Sequence, residues 1–349
     1  MARAQMTTLL EQAASLWEER QFDDVLRISE EILAADPRSA PARHFRAAAL
    51  LEQGRRDEAL AEFERAQKLD AHDPEILLGL TDLLVCHSGE DLEQIGRGLL
   101  LCEKGRKLAR REEDPELEFE FLVLEGTGLN HVGESARALG ALDAALQILP
   151  GSLGAQLERA IALFELCRFD EAKKAFEQIV REAPDAPRAH HHLGLIAERR
   201  GEEKEAARCF QRAQELLPEE FPPPVRLDDA EFDKAVEVAI AQLPEDVREY
   251  LENTTIAVEP IPADEDLVSS DPPLSPSILG VFRGTPVGER SIDNAWDHAP
   301  ASIILYQRNL ERFARTREEL IEQIEITVMH EFGHLIGLDE HDLWERGLD

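Results

Sequence analysis

His330 and His334 stand four residues apart in Thr327-Val-Met-His-Glu-Phe-Gly-His-Leu-Ile-Gly337. In a helix, four residues turn the chain about 400° and advance it about 6 Å, so both imidazoles leave one face, one turn apart. Two nitrogens placed in that way suit two corners of a tetrahedral zinc site. Glu331 is rotated about 100° from His330, close enough to reach a water at the metal without becoming a ligand. Its expected role is general base, taking a proton from that water and passing it to a leaving amine. This spacing recurs by chance in many chains, but three neighbouring features single it out here. Ile324, Ile326, Val328, Met329, Phe332, Leu335 and Ile336 make the flanks unusually apolar, as a buried catalytic helix requires. Gly337 then offers the left-handed residue that ends a helix, and Asp339-Glu-His-Asp342 follows at once with four potential ligands.

The third ligand follows from spacing. Fifteen residues come after His334, and the expectation is that no second helix returns a distant glutamate. The tight-turn arrangement HExxHxxGxx(H/D) of metzincins points ten residues past His330, to Glu340, with Gly337 at the pattern's glycine; His341 and Asp342 are the reserves. No methionine follows, so only Leu343 and Trp344 remain to form a floor beneath the metal. Other roles rest on less. Tyr306 is either a carbonyl-polarising phenol or, as the better expectation, a packed side chain. Asp297 and His298 are possible partners for a zinc histidine. Arg283 and Gly284 read as a turn near the cleft, after a strand that is either a peptide-binding edge or an ordinary core strand.

These residues need a scaffold, and the pattern supplies one from about residue 228. Asp228–Leu243 carries Phe232, Val236, Ala239 and Leu243 on one helical face. Thr254–Pro260 alternates as a strand, and Ile278–Phe282 and Ser302–Tyr306 read as two more. Between them Asp264–Pro276 is acidic and rich in serine and proline, and is expected to be a mobile loop. Arg308–Arg315 and Glu318–Ile336 read as helices, the latter extending back to about Arg317. Helix, strands and helix in this order predict a small α+β domain.

The first 220 residues are of another kind. Gly54-Arg-Arg-Asp-Glu-Ala-Leu-Ala-Glu-Phe-Glu-Arg-Ala66 returns 147 residues later as Gly201-Glu-Glu-Lys-Glu-Ala-Ala-Arg-Cys-Phe-Gln-Arg-Ala213, and Ala172, Phe176 and Pro184 precede Ala206, Phe210 and Pro218 by 34. Small residues at matching places, Ala13, Ala47, Ala160 and Gly194, allow the first helix of each unit to approach its partner closely. This resembles the tetratricopeptide (TPR) repeat, a helix-turn-helix unit of 34 residues. Units are expected at 6–39, 40–73, 119–152, 153–186 and 187–220, with a divergent unit over 74–118 whose second helix is Leu92–Arg111. The resemblance implies an all-α solenoid that binds a protein or peptide partner; it does not imply catalysis. His190-His-His192 cannot converge on one ion, because adjacent helical residues point about 100° apart, and a solvated face is expected. The array stops at Pro218, and Glu219-Glu-Phe-Pro-Pro-Pro224 reads as a stiff break. The expected division is therefore a repeat domain over 1–220, a proline-rich linker over 221–227 and the α+β domain over 228–349.

Composition limits the function classes. With 72 acids against 38 bases the net charge is −34, a field that repels phosphate backbones and anionic lipid. Neither nucleic acid nor membrane is expected as a partner; the better expectation is a solvated acidic surface, which could attract basic partners but identifies none. No apolar run is long enough to span a bilayer. The opening residues enter an amphipathic pattern containing Glu11, Glu18 and Glu19 instead of a signal peptide, so a cytoplasmic location is expected. Cysteines 86, 102, 167 and 209 form no CxxC pair; each is expected to be a small core residue in a reducing compartment.

The second domain also resembles a family, the small bacterial minimal zincin metallopeptidase-like proteins. The likeness covers about 227–349 and rests on an ordered set: Leu243-Pro-Glu-Asp, Thr255-Ile-Ala-Val-Glu, Leu279-Gly-Val-Phe-Arg-Gly-Thr-Pro286 followed by Glu289-Arg-Ser, Ile303-Ile-Leu-Tyr306, and the histidine segment. It implies a compact zincin with one Zn2+ and peptidase activity on substrates that are mostly uncharacterised. In that family the residue ten past the first histidine is usually Asp, and here it is Glu340. The expectation is a zinc metallopeptidase with Glu331 as base and His330, His334 and Glu340 as ligands, its repeats recruiting a protein substrate. The rival is a non-catalytic TPR adaptor with a zinc-binding module, and a small-molecule amidase is a third class. Oligomeric state and cleavage specificity are not legible.

Overall fold

A computed structural model describes residues 3–89, 91–242, 254–286, 301–339 and 342–343. Twelve helices come first, in six pairs: α1 (Arg3–Glu18) and α2 (Phe22–Ala35), α3 (Ala40–Glu52) and α4 (Arg56–Leu69), α5 (Pro74–Cys86) and α6 (Leu92–Glu112), α7 (Pro115–His131) and α8 (Ser135–Ile148), α9 (Leu153–Glu165) and α10 (Phe169–Glu182), α11 (Pro187–Arg199) and α12 (Glu203–Leu216). Each pair is one helix-turn-helix, the third lying over the divergent stretch. The fourth begins at Pro115, four residues early, because Asp114 caps it by accepting the N–H of Leu117 at 3.0 Å. Ser39 and Asp73 cap α3 and α5 in the same manner, with prolines in their first turns.

The turn inside each pair needs one left-handed residue. Gly54, Gly133 and Gly201 supply it with φ of 73°, 75° and 69°, and at the equivalent places Arg20 and Cys167 adopt φ of 56° and 57° without being glycine. That conformation costs a side-chain-bearing residue roughly 1–2 kcal/mol, so the repeat geometry overrides local preference at these two positions.

The chain divides into two compact units, Met1–Leu163 and Phe164–Asp349. In the first, small residues on one helix admit large ones from the next. A Cβ on Gly79 would stand 2.6 Å from the Phe63 ring, and one on Gly126 2.4 Å from Leu142. Ala13 and Ala47 are fully buried in the matching role. Glu62, 3% exposed, is neutralised by Arg43 at 2.6 Å and Arg65 at 2.5 Å.

The second unit begins with the end of the repeats, and the expected linker lies inside it. Gly194 admits the Phe210 ring, which a Cβ would meet at 2.7 Å. His191 and His192 do not form a solvated face. His191 stacks on Phe221 (4.6 Å, 28°) and His192 on Phe176 (4.9 Å, 21°), and burial pushes the His191 pKa well below its ordinary value. Their neighbours are rings from other elements, which a single-helix reading does not contain. Among the cysteines Cys102 and Cys209 are buried, Cys167 is half-buried and Cys86 is exposed, so the expectation of four core thiols fails at Cys86.

Beyond the repeats come α13 (Asp229–Gln242), β1 (Thr254–Glu259), α14 (Asp264–Leu267), β2 (Gly280–Arg283), β3 (Ala301–Tyr306), α15 (Gln307–Phe313) and α16 (Arg317–Ile336). The sheet order is β1-β3-β2, with β1 parallel and β2 antiparallel to β3. Its core joins Phe232, Val236 and Ala239 of α13 to Ile303 and Leu305 of β3 and to Leu320, Ile324, Val328, Phe332 and Leu335 of α16. Asp228 and Glu231 form a reciprocal cap at the start of α13, and Thr316 caps α16 by accepting the Glu319 N–H at 3.1 Å.

The last repeat and this part share ion pairs centred on one buried carboxylate. Glu198 at the end of α11 meets Arg308 at 3.0 Å and also Arg312, with the Glu198 side chain only 9% exposed. Arg199 donates to the Pro262 carbonyl (2.8 Å) and to Asp264 (2.6 Å). The proline segment is held from both sides, by Phe221 on His191 and by the Val225 N–H on the Glu311 carbonyl at 2.9 Å. The acidic stretch 264–276 is likewise tied down where a mobile loop was expected. It carries α14, pairs Asp266 with Arg283, and receives the Cys167 thiol on its Leu274 carbonyl at 3.6 Å. No helix among the described residues is long and apolar enough to cross a membrane.

Candidate active site

His330, Glu331 and His334 lie in the last two turns of α16. The two imidazoles do leave one face of the helix. Their Nε2 atoms are 3.2 Å apart, and the ring planes are nearly perpendicular at 83°. The tautomer of His334 follows from its other nitrogen, which lies 3.1 Å from the Leu338 carbonyl. A carbonyl can only accept, so Nδ1 carries the proton and Nε2 is left with a lone pair. Leu338 is available because α16 stops at Gly337 (φ 91°), where the chain reverses and the Leu338 N–H returns to Gly333 O at 3.0 Å.

These residues fit a zinc ion. A tetrahedral zinc with nitrogens at about 2.0–2.1 Å holds two of them about 3.3–3.4 Å apart, and the observed Nε2 separation is 3.2 Å. The donor atoms are thus spaced as ligands would be, with one imidazole already fixed in the ligating tautomer.

Glu331 is 5% exposed and lies under β2. A Cβ on Gly280 would stand 3.1 Å from its Cγ and 3.2 Å from its Oε1, and 2.7 Å from Thr327 Cγ2. Only a residue without a side chain allows the strand to approach the carboxylate this closely. Gly280 is not among the expected site residues; a glycine inside a strand pattern is the signal in the sequence for such a close approach. Asn309, also missed, is 8% exposed and donates to the Pro276 and Ile278 carbonyls at 3.1 and 2.7 Å. It fixes the segment that leads into β2.

A cleft of about 580 Å³ opens beside these groups, bounded by β2, the face of α16 that carries Gln323, Thr327 and His330, and the turn at Leu338 and Asp339. Its walls are otherwise apolar, with Leu274, Ile278, Phe282 and Ile326. Among the described strands β2 is an edge, paired only to β3.

The remaining expected residues distribute as follows. Glu340, His341, Trp344, Asp297 and His298 lie outside the described residues. Asp342 is turned back on the chain, its Oδ2 accepting the Asp339 N–H at 3.3 Å, while Asp339 Oδ1 accepts the Asp342 N–H at 2.9 Å. Asp339 and Asp342 thus form a reciprocal cap across this turn. No cluster of three metal-binding side chains occurs among the described residues. Leu343 is fully buried with Cδ2 against Gly333, where a Cβ would stand 2.3 Å away, so it packs directly under the histidine turn. Tyr306 is fully buried and does not line the cleft; Arg283 is the charged group beside its hydroxyl, and burial pushes the Tyr306 pKa up to about 12; it packs. Arg283 pairs with Asp266, and Gly284 lines the cleft.

Residues 251–348 match the family described as zincin-like metallopeptidase, and residues 16–84 and 157–221 match tetratricopeptide repeats. The chain carries a TPR array and a zincin-like domain. Among solved structures, PilW, a type IV pilus biogenesis factor, is 17% identical with a TM-score of 0.53, covering 62% of this chain and 96% of its own. PilF of Pseudomonas aeruginosa is 15% identical with a TM-score of 0.49, covering 61% of this chain and 92% of its own. At these identities the likeness to PilW speaks for the repeat fold alone. No curated protein sequence matches the chain. The zincin-like domain makes peptidase chemistry the candidate activity, and the repeats are an architecture of protein interaction.

Proposed function

We propose that this protein is a zinc-dependent peptidase whose repeats recruit a protein substrate or partner. The observation that carries the reading is the pair of Nε2 atoms 3.2 Å apart beside a buried carboxylate at the floor of a cleft. His330 and His334 would hold the zinc, with Glu340 as third ligand. When bound, the metal supplies Lewis acidity, polarising a carbonyl and bringing the pKa of water from 15.7 to about 7. The chain's own residues do the rest. Glu331 takes the proton from the attacking water and delivers it to the departing amine, which requires a carboxylate near both. The Leu338 carbonyl holds His334 in the tautomer that presents Nε2. Gly280 lets the backbone of β2 lie against Glu331, so an extended peptide adding to that edge as a further strand would pass its scissile bond over the carboxylate.

Glu331→Gln separates this reading from a structural-zinc adaptor. The purified variant is expected to keep about one zinc per chain and to lose cleavage of an unstructured test protein, whereas His330→Ala and His334→Ala lose the metal. Cleavage at the wild-type rate by Glu331→Gln would refute the mechanism. Full zinc in both alanine variants would refute the site.

A further inference from the structure

The first unit contains a groove that the peptidase reading does not use. It has a volume of about 280 Å³ and is built almost wholly from the first helices of four successive repeats, α1, α3, α5 and α7. Its floor is apolar, with Trp17, Leu51, Leu78 and Leu124. Its rim is acidic, with Glu52, Glu75, Asp82 and Glu120, and among the described residues no lysine or arginine lines it.

Two observations mark it as more than a solvated acidic face. The imidazole of His44 lines the groove, held edge-on to Phe63 (5.8 Å, 66°), with its Nδ1 buried and without a hydrogen-bond partner among the described residues. Buried polar atoms are normally satisfied, and among the described residues this one is not, which sets the groove wall apart from an ordinary packed surface. The rim charges are also incompletely matched. Glu52 has Arg20 at 3.4 Å and Asp82 has His87 at 3.5 Å, both on exposed side chains, whereas Glu75 and Glu120 have no ion pair among the described residues. Desolvation and the neighbouring Asp82 raise the pKa of Glu120, the response of a carboxylate set against like charge with no cation beside it.

We infer that this groove docks a cationic, amphipathic segment of a partner protein, with lysine or arginine side chains on the Glu75, Asp82 and Glu120 rim and aliphatic side chains on the Trp17, Leu78 and Leu124 floor. The inference deepens the recruitment reading above and rests on it. It assigns the chemistry of the recruited chain: a basic segment, which the net charge of −34 also attracts over distance.

The test is calorimetric titration of the full-length protein with a twelve-residue peptide alternating leucine and arginine, and with the same peptide carrying citrulline in place of arginine. Citrulline keeps shape and hydrogen bonding and removes the charge. The arginine form is expected to bind about tenfold or more tightly, and to weaken as ionic strength rises. Glu75→Gln with Glu120→Gln should remove most of that advantage. Asp57→Asn with Glu58→Gln removes the same charge from the exposed start of α4 and should leave it intact. Equal affinity for both peptides, or equal losses in the two double variants, would overturn the groove as a specific site. The Glu331→Gln chain gives the separating arm. If it retains a test substrate while peptide binding is blind to charge, recruitment stands and the groove falls; if it retains nothing either, both fall.

Discussion

Glu198→Ala is the most informative single perturbation of the second unit. Glu198 is the shared counter-charge for Arg308 and Arg312, with side-chain exposures of 9%, 35% and 19%. Arg308 keeps Glu203 at 3.4 Å, but Arg312 would be left with the Phe210 ring at 5.1 Å and Asn309 Oδ1 at 3.3 Å. Removing one partner of a buried pair costs about 3–5 kcal/mol because the other charge stays buried. Partial exposure of both arginines puts the expectation at the lower end, about 3 kcal/mol. For a cooperative unit of this size, that lowers the melting temperature by roughly 6–12 °C. The assay is thermal unfolding followed by circular dichroism, comparing Glu198→Ala with Glu198→Leu/Arg312→Met. The double variant removes both charges and should recover most of the loss. A shift under about 2 °C for Glu198→Ala, or a double variant as unstable as the single, would refute the claim that the last repeat and the zincin-like part are bound through this pair.

Gly280→Ala places a Cβ against Thr327 and Glu331; it should cost about 1–3 kcal/mol and lower test-substrate cleavage with zinc content unchanged, so a fully active variant would contradict the role given to the strand. Gly333→Ala collides with Leu343 under the histidine turn; the expected outcome is loss of bound zinc, checked by metal analysis. Arg20→Gly relieves a left-handed residue and is expected to change stability by about +0.5 to +1 kcal/mol in denaturant titration, opposed in part by the greater freedom glycine has when unfolded. His191 has a folded-state pKa far below 6.5, so the unfolded chain takes up a proton that the folded chain refuses. Its contribution is therefore complete above about pH 6.5 and is lost as pH falls below it, by up to about 1.4 kcal/mol per pH unit. His191→Phe should flatten the stability profile between pH 6.5 and 5 relative to wild type, and an unchanged slope would refute the assignment.

What the sequence determined, it determined through periodicity and spacing. The repeat units, with the turn glycines at 54, 133 and 201, follow from a pattern that recurs every 34 residues on either side of the longer, divergent stretch 74–118, because each unit solves the same local packing problem. The convergence of His330 and His334 was legible for the same reason: a helix of known pitch fixes which side chains share a face. The tertiary structure decided everything that depends on residues far apart in the chain. Gly280 matters because α16, some fifty residues later, lays Glu331 across it. His191 and His192 are stacked instead of solvated because Phe221 and Phe176 arrive from other elements. The stretch 264–276 is pinned because Arg199, Arg283 and Cys167 reach it from distant positions. A repeat or a helical motif carries its geometry in its own residues, whereas a contact between elements exists only once the chain has brought both of them to one place.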